Sequence, residues 1–483
     1  MMTSDVREIV ITGTGAAASA VAVAMAVSLQ GSGIGVTLLL SPSPGGPRSV
    51  DVFRGGPHGF HTSLGIEEAA FFRQSNAVHG MGTRYRGLSE SGEDVFVPLG
   101  SHGMTLRLVD FHHYVAKLRA EDGAQDFNAW SAAAAAARKG RFDPAQANIE
   151  RALRLLEYDV YVDHDTYLDT MLTHATSLGV KVVRQSPVTA ELNAAGMLES
   201  VTLADDNTLH GDFFLDCSED RSLISHVAID DEFHDWSSWL AADRMVSLPA
   251  PPPATPDLFA SIEANDAGWL LRSSTRGLAT GSFVYDSSEI DDKEAVGRLA
   301  TWLPGAAPDD AHVAQFRPGR YARHWYRNCV AIGPAAAALA PMEVSPLQLT
   351  HSAILRLLAM LPRHKDSPML AEEFNRMTNV EIDGARDYQL LRPALADRQA
   401  GQFWQQTRET QWPDSLQQRI DLFRSRGRFT PRDHEFFSKS NWVSSFINFG
   451  LWPASYDPLA DMIDEKRMRA DLVRFRKTLQ AGN

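Results

Sequence analysis

The chain opens with a short β-branched apolar run, REIVIT over residues 7–12, that stops at Gly13. An apolar run of this length ending at a glycine predicts a buried strand. The small-residue stretch AAASAVAVAMAVSL predicts a helix, and GVTLLL (35–40) predicts a second buried strand. Strand, helix and strand at this spacing form a βαβ unit, the setting of a nucleotide-binding fold. The turn between them, within ITGTGAAASA (11–20), holds Gly13 and Gly15, with Ala18 where a third glycine would stand.

Further on, residues 41–59 form a Gly/Pro-rich loop, long enough to be functional. WSAAAAAARKG (130–140) predicts a helix or a low-complexity surface insert. Helix then strand is expected over 161–183, and 190–220 predicts strands ending in a buried one at Cys217. LPAPPPATP (248–256) is expected to be a connector, and 268–288 a β-hairpin. CVAIG (329–333) predicts another buried strand, and 345–483 is mostly helical. No internal repeat is visible.

Composition adds bounds to this picture. With 483 residues, 44% apolar and 22% charged, the chain suits a large globular protein of several packed subdomains. A formal charge of −14 argues against general nucleic-acid binding, which needs a basic surface. The two cysteines, Cys217 and Cys329, offer neither a disulfide framework nor a metal cluster and are expected to be buried small residues. Residues 15–29 follow acidic positions and a strand, unlike a secretory signal, and no apolar run reaches the ~18 residues of a membrane span. A cytoplasmic location without membrane association is expected.

Three strand ends, at Gly13/Gly15, at DCSEDRSL (216–223) and at NCVAIG (328–333), together resemble the flavin-dependent halogenases of the tryptophan halogenase family. LGIEEAAFFRQSNA (64–77), FHHY (111–114), FRPGRYARHWYRNCVAIG (316–333), PMEVS (341–345), EEFNR (372–376), RDYQLLRP (386–393), FW (403–404), NW (441–442) and FGLWPASYDPLA (449–460) carry the same resemblance, in order. It implies an α/β fold, with a Rossmann-like FAD-binding domain of glutathione-reductase type split over 1–75, 160–225 and 310–350. Mixed α+β substrate-side segments, 76–159 and 226–309, are woven through it, and 351–483 forms a helical C-terminal part. It also implies FAD, supplied reduced by a separate flavin reductase, O₂, and chloride or bromide. The substrate would be an aromatic small molecule or one bound to a carrier or peptide; a homodimer stays open.

Carried over position by position, the resemblance assigns the cofactor to Gly13, Gly15, Ala18, Gly333 and Ala335, where small residues after Gly333 would let a helix approach a flavin. Ala18 is an accepted variant of the third glycine. The acidic ribose contact at the end of the second strand is replaced by Leu40, and Glu219 stands where the family has glycine. Glu343 matches the family glutamate, as general base or electrostatic stabiliser, with a helix-terminal carboxylate as the alternative. The chloride contacts fall on Val344, Ser345 and Pro346, and Pro346 has no N–H to offer.

The family lysine position is Gly80. His79 is the neighbouring catalytic candidate, expected on the opposite strand face, and Arg84 is expected on the face of Gly80. Both have ordinary packing as their alternative. Restoring lysine at Gly80 would test the remaining machinery. The family's Trp-x-Trp-x-Ile-Pro motif becomes WLLRSS (269–274), which either opens a path for oxygen transfer or reflects drift in a surface hairpin. His112 and His113 are expected to brace structure, and Trp325, Trp404 and Trp442 to be core or pocket wall. No metal site is expected. Two functions follow: an FAD-dependent enzyme that halogenates or oxygenates an aromatic, or a degenerate relative that binds a partner.

Overall fold

The computed structural model describes residues 5–42, 48–56, 59–89, 92–106, 108–142, 156–218, 223–229, 231–396 and 401–481. β1 (Glu8–Gly13) is buried at every position but the first. α1 (Gly15–Ser28) is buried almost all round, which is why it carries no polar stripe. β2 (Gly35–Leu40) lies parallel to β1, pairing Gly13 with Leu40. A six-stranded sheet runs in the order Trp325–Tyr326, Cys329–Ala331, Phe213–Cys217, β1, β2, Lys181–Val183. All its pairs are parallel except the first. Distant stretches of chain therefore meet at β1, and the strand ends at Gly13, Cys217 and Ala331 share one edge. Asn328 fixes this sheet to a small three-stranded one. Its side chain accepts from Leu198 N–H (3.0 Å) and donates to the carbonyls of Leu198 (2.8 Å) and Asp212 (3.1 Å).

A seven-stranded sheet forms the second layer, in the order His312–Gln315, Arg244–Ala250, Ala279–Tyr285, Gly268–Ser274, Ala260–Asn265, Gly82–Arg86, Val95–Pro98. The hairpin expected at 268–288 exists, but it lies inside this sheet rather than on the surface: Trp269 is 3% and Ser274 5% exposed. The expected connector 248–256 also begins later, because Leu248 to Ala250 pair with Ala279 to Gly281. A separate antiparallel trio joins Val50–Arg54, Asp159–Asp163 and Val78–Gly80. Thus Gly80 and Gly82, one residue apart, belong to different sheets.

Residues 132–139 form a helix that buries Ala132, Ala133, Ala134 and Ala136, so this alanine run is a packing surface and not an insert. The C-terminal part is helical, built around Pro346–Ala359, the 28-residue Pro368–Leu395, Asp414–Arg426, Lys439–Asn448 and Glu465–Ala481. Cys217 and Cys329 are buried and form no disulfide. Among the described residues no helix is long and apolar enough to cross a membrane.

Candidate active site

At the βα turn, a Cβ on Gly13 would lie 2.5 Å from the carbonyl oxygen of Cys217 on the neighbouring strand. Gly13 is thus required by sheet packing as well as by any ligand. Gly15 has φ +56°, and its Cβ would lie 2.9 Å from Nε2 of His164. His164 is in turn bonded through Nδ1 to Asp51 at 2.8 Å. Ala18 is fully buried beneath the turn. α1 begins with no side-chain cap and no acidic residue in its first turn. Its first N–H groups thus have no side-chain cap, and an imidazole stands beside them. Leu40 is buried at the end of β2, whose own residues, GVTLLL, include no acid. The turn fits a diphosphate; the ribose contact is missing. Glu219 lies outside the described residues.

Gly333 has φ +64° and no room for a Cβ against Thr350. It starts a 3₁₀ turn, Gly333–Ala335, with Ala335 fully buried. The segment that follows is a short strand, Ala337–Ala338. The next helix starts at Pro346, with Ser345 at its N-cap making no side-chain cap bond.

Glu343 lies in a polar cluster that sequence reasoning missed. The Tyr85 hydroxyl and the Arg392 Nε both donate to its Oε1. Arg392 Nε also donates to the Tyr85 oxygen at 3.1 Å. Arg392 is fully buried, and the side chain of Glu343 is 7% exposed. The guanidinium lies 4.6 Å from the Tyr388 ring, 5.0 Å from Tyr85 and 5.1 Å from Phe449. Burial opposes the arginine's charge, but Glu343 and the two tyrosines outweigh it and raise its pKa. Oε2 of Glu343 is buried without a hydrogen-bond partner. Both Nη atoms of Arg392 are likewise buried without a partner, so the pair leaves one carboxylate oxygen and two guanidinium nitrogens unmatched. The sequence signal was an arginine within the apolar-flanked RDYQLLRP stretch, a poor place for a charge without a partner.

The tryptophan halogenase family model matches residues 8–465. The chain belongs to the tryptophan halogenase family. Tryptophan 7-halogenase KtzQ of Kutzneria sp. strain 744 is 27% identical over 340 residues, covering 66% of this chain and 64% of that protein, under two thirds of its length. The solved structure of BrvH, a flavin-dependent halogenase from Brevundimonas sp. BAL3, superposes with a TM-score of 0.91 at 27% identity, covering 99% of this chain and 96% of that one. A flavin-dependent halogenase from Xanthomonas campestris gives a TM-score of 0.92 at 28% identity, covering 99% and 95%.

In this halogenase-family chain Gly80, expected at the lysine position, is crowded by a neighbour. A Cβ on Gly80 would fall 2.6 Å from the ring of Tyr161 and 2.8 Å from its hydroxyl oxygen. Tyr161, on the adjacent strand, is 2% exposed, and burial raises its pKa although the Ala260 backbone bonds its oxygen. His79 points to the other strand face, as alternation requires. There it stacks on Phe72 with ring centres 4.2 Å apart and meets Phe142 and Tyr158 edge-on, both at 5.1 Å. Glu343 and His79 thus belong to separate clusters.

The chain switches sheets at Met81, so Arg84 does not continue the face of Gly80. It bonds Ser261 at 3.1 Å and covers the Phe259 ring at 4.6 Å. His112 bonds the Gly427 carbonyl at 2.7 Å, and His113 Nδ1 accepts from Asp457 N–H at 3.2 Å. Asp110, which with these two could hold a metal ion, is paired with Lys439. Trp325, Trp404 and Trp442 are all fully buried.

Proposed function

We propose that the chain is an FAD-dependent oxidoreductase that halogenates or oxygenates an aromatic substrate, using O₂ and flavin reduced by a separate reductase. Bound and reduced, the flavin supplies the electrons that activate O₂. The α1 turn, from Gly13 to Ala18, and His164 hold its diphosphate, with Gly333 and Ala335 keeping backbone close to the cofactor. The observation that carries the reading is Glu343. It is fixed at one oxygen by Tyr85 and Arg392 and bare at the other, in a dry setting where a carboxylate acts strongly on a positively charged ring or its proton. The substrate is an aromatic, free or carried on a larger molecule. Chloride or bromide is the expected halide, with Ser345 as the hydroxyl left to meet it. A cytoplasmic enzyme without membrane association fits the composition.

A second reading is a degenerate relative that binds a partner, favoured by Leu40 and by the filling of the lysine space with Tyr161. Anaerobic titration with reduced FAD separates the two. Micromolar binding, followed by product formation with an added reductase, supports the enzyme; comparing product masses with and without bromide tells halogenation from oxygenation. No binding at hundreds of micromolar leaves the partner-binding reading. With activity in hand, Glu343→Gln is expected to lower turnover by about 10²–10⁴-fold and to leave reduced-FAD binding unchanged.

A further inference from the structure

Tyr85 stands in the strand Gly82–Arg86, paired with Ile262 on one side and Val95 on the other, and is 1% exposed. Its hydroxyl meets both members of the Glu343–Arg392 pair at once, donating to Oε1 of Glu343 and accepting from Arg392 Nε at 3.1 Å. Arg392 lies near the end of the helix Pro368–Leu395, and Glu343 in the stretch before the helix Pro346–Ala359. Three segments of chain thus converge on one carboxylate oxygen.

An arginine and a carboxylate pair most strongly through two parallel bonds, one to each oxygen. Here Arg392 reaches Glu343 through Nε, and Oε1 is the oxygen that accepts. Oε2 and both Nη atoms are buried without a partner. Buried charged groups left unmatched are costly, and a turn of the carboxylate would satisfy Oε2 and one Nη together. The guanidinium has little freedom of its own, with the rings of Tyr388, Tyr85 and Phe449 at 4.6, 5.0 and 5.1 Å. The donor that shares Oε1 with it is the Tyr85 hydroxyl.

We propose that Tyr85 is a positioning residue that holds the Glu343–Arg392 pair open and so keeps Oε2 of Glu343 available. A carboxylate turned to bring Oε2 to a Nη atom takes Oε1 off the hydroxyl, and the Tyr85 bond opposes that turn. Arg392 then balances the charge of Glu343 without occupying the oxygen that meets a substrate's proton or a positively charged ring. Without the hydroxyl, both oxygens go to the guanidinium and Oε2 is silenced. The inference rests on the reading of Glu343 as the group that acts on an aromatic substrate, and it names what keeps that group available.

Crystal structures of the full chain and of Tyr85→Phe test it without flavin or turnover, so a failure here is separate from a failure of the enzyme reading. The phenylalanine keeps the ring against Arg392 and removes only the hydroxyl. In the unaltered chain Arg392 should meet Glu343 through Nε alone; in Tyr85→Phe a second bond, from a Nη atom to Oε2, should form. With activity in hand, Tyr85→Phe should lower kcat roughly ten- to hundredfold and leave KM for the aromatic substrate unchanged, whereas a merely structural role would raise KM as well. A pair still joined by one bond in Tyr85→Phe overturns the proposal, as does a two-bonded pair in the unaltered chain. Undiminished kcat in Tyr85→Phe overturns it as well. The geometry of the unaltered chain stays decisive even if the variant fails to fold.

Discussion

Gly80 shows how a single missing side chain is enforced by its surroundings. The Tyr161 ring occupies the volume a Cβ would need, so Gly80→Lys alone is an overpacking substitution. It should destabilise by about 1–3 kcal/mol or more, read as a lowered urea midpoint, and it should gain no halogenation. Gly80→Lys combined with Tyr161→Ser clears the space. If the rest of the site is live, halogenated product should appear only in the double variant. Arg392 makes the second residue-scale case. Arg392→Met leaves Glu343 buried without its cation and should destabilise by about 3–5 kcal/mol. Adding Glu343→Gln to that variant should recover much of the loss, because two neutral groups no longer demand compensation. Denaturation of the two singles and the double measures this coupling.

At the scale of elements, hydrophobic pattern read well where the element was buried and regular. β1, α1 and β2 were legible because a continuous apolar run ending at a glycine has few other folds. The strand around Pro249 was misjudged, and the alanine run at 132–139 left two readings open, of which the helix formed. Alanine is equally at home on a surface and in a tight interface, and Pro249 stands in a strand that composition alone assigns to a connector. Single polar residues also join elements in ways no pattern reveals. Asn328 meets three backbone groups of two other segments at once. Asn328→Leu strands those groups and should destabilise by several kcal/mol, at about 1–3 kcal/mol for each unmatched group. Ser438, which forms a reciprocal capping box with Asn441 at the start of Lys439–Asn448, should cost about 0.5–2 kcal/mol when changed to Ala.

Across the whole molecule, buried imidazoles make stability depend on pH. Burial pushes His61 down to about 3, His102 to about 4, and His112 and His113 to about 3 and 4. His61 also bonds the Tyr167 hydroxyl at 3.1 Å, and that hydroxyl meets His351 at 2.9 Å. These rings are neutral in the folded chain, whereas in the unfolded chain they take up protons below about pH 6.5. Unfolding therefore gains protons as pH falls, and the stability that these groups contribute is complete above about 6.5 and lost progressively down to their folded values. Urea midpoints should fall steadily from pH 7 to pH 4; a flat profile would show that the rings charge within the fold. The candidate site was only partly legible for a related reason. Glu343 could be placed by resemblance, but Tyr85, Tyr161 and Arg392 come from separate segments, and only the packing of the sheets and a long helix brings each to its partner.

The Gly80–Tyr161 contact also orders history. Lysine at Gly80 has to displace the buried ring that stands beside it, and shrinking Tyr161 first opens a hole in a buried sheet. Each single step toward an amine at this position is a loss, and the benefit arrives only with the second. A lineage holding this pair is therefore ratcheted: selection acting one substitution at a time can refine the present chemistry more readily than it can restore the lysine.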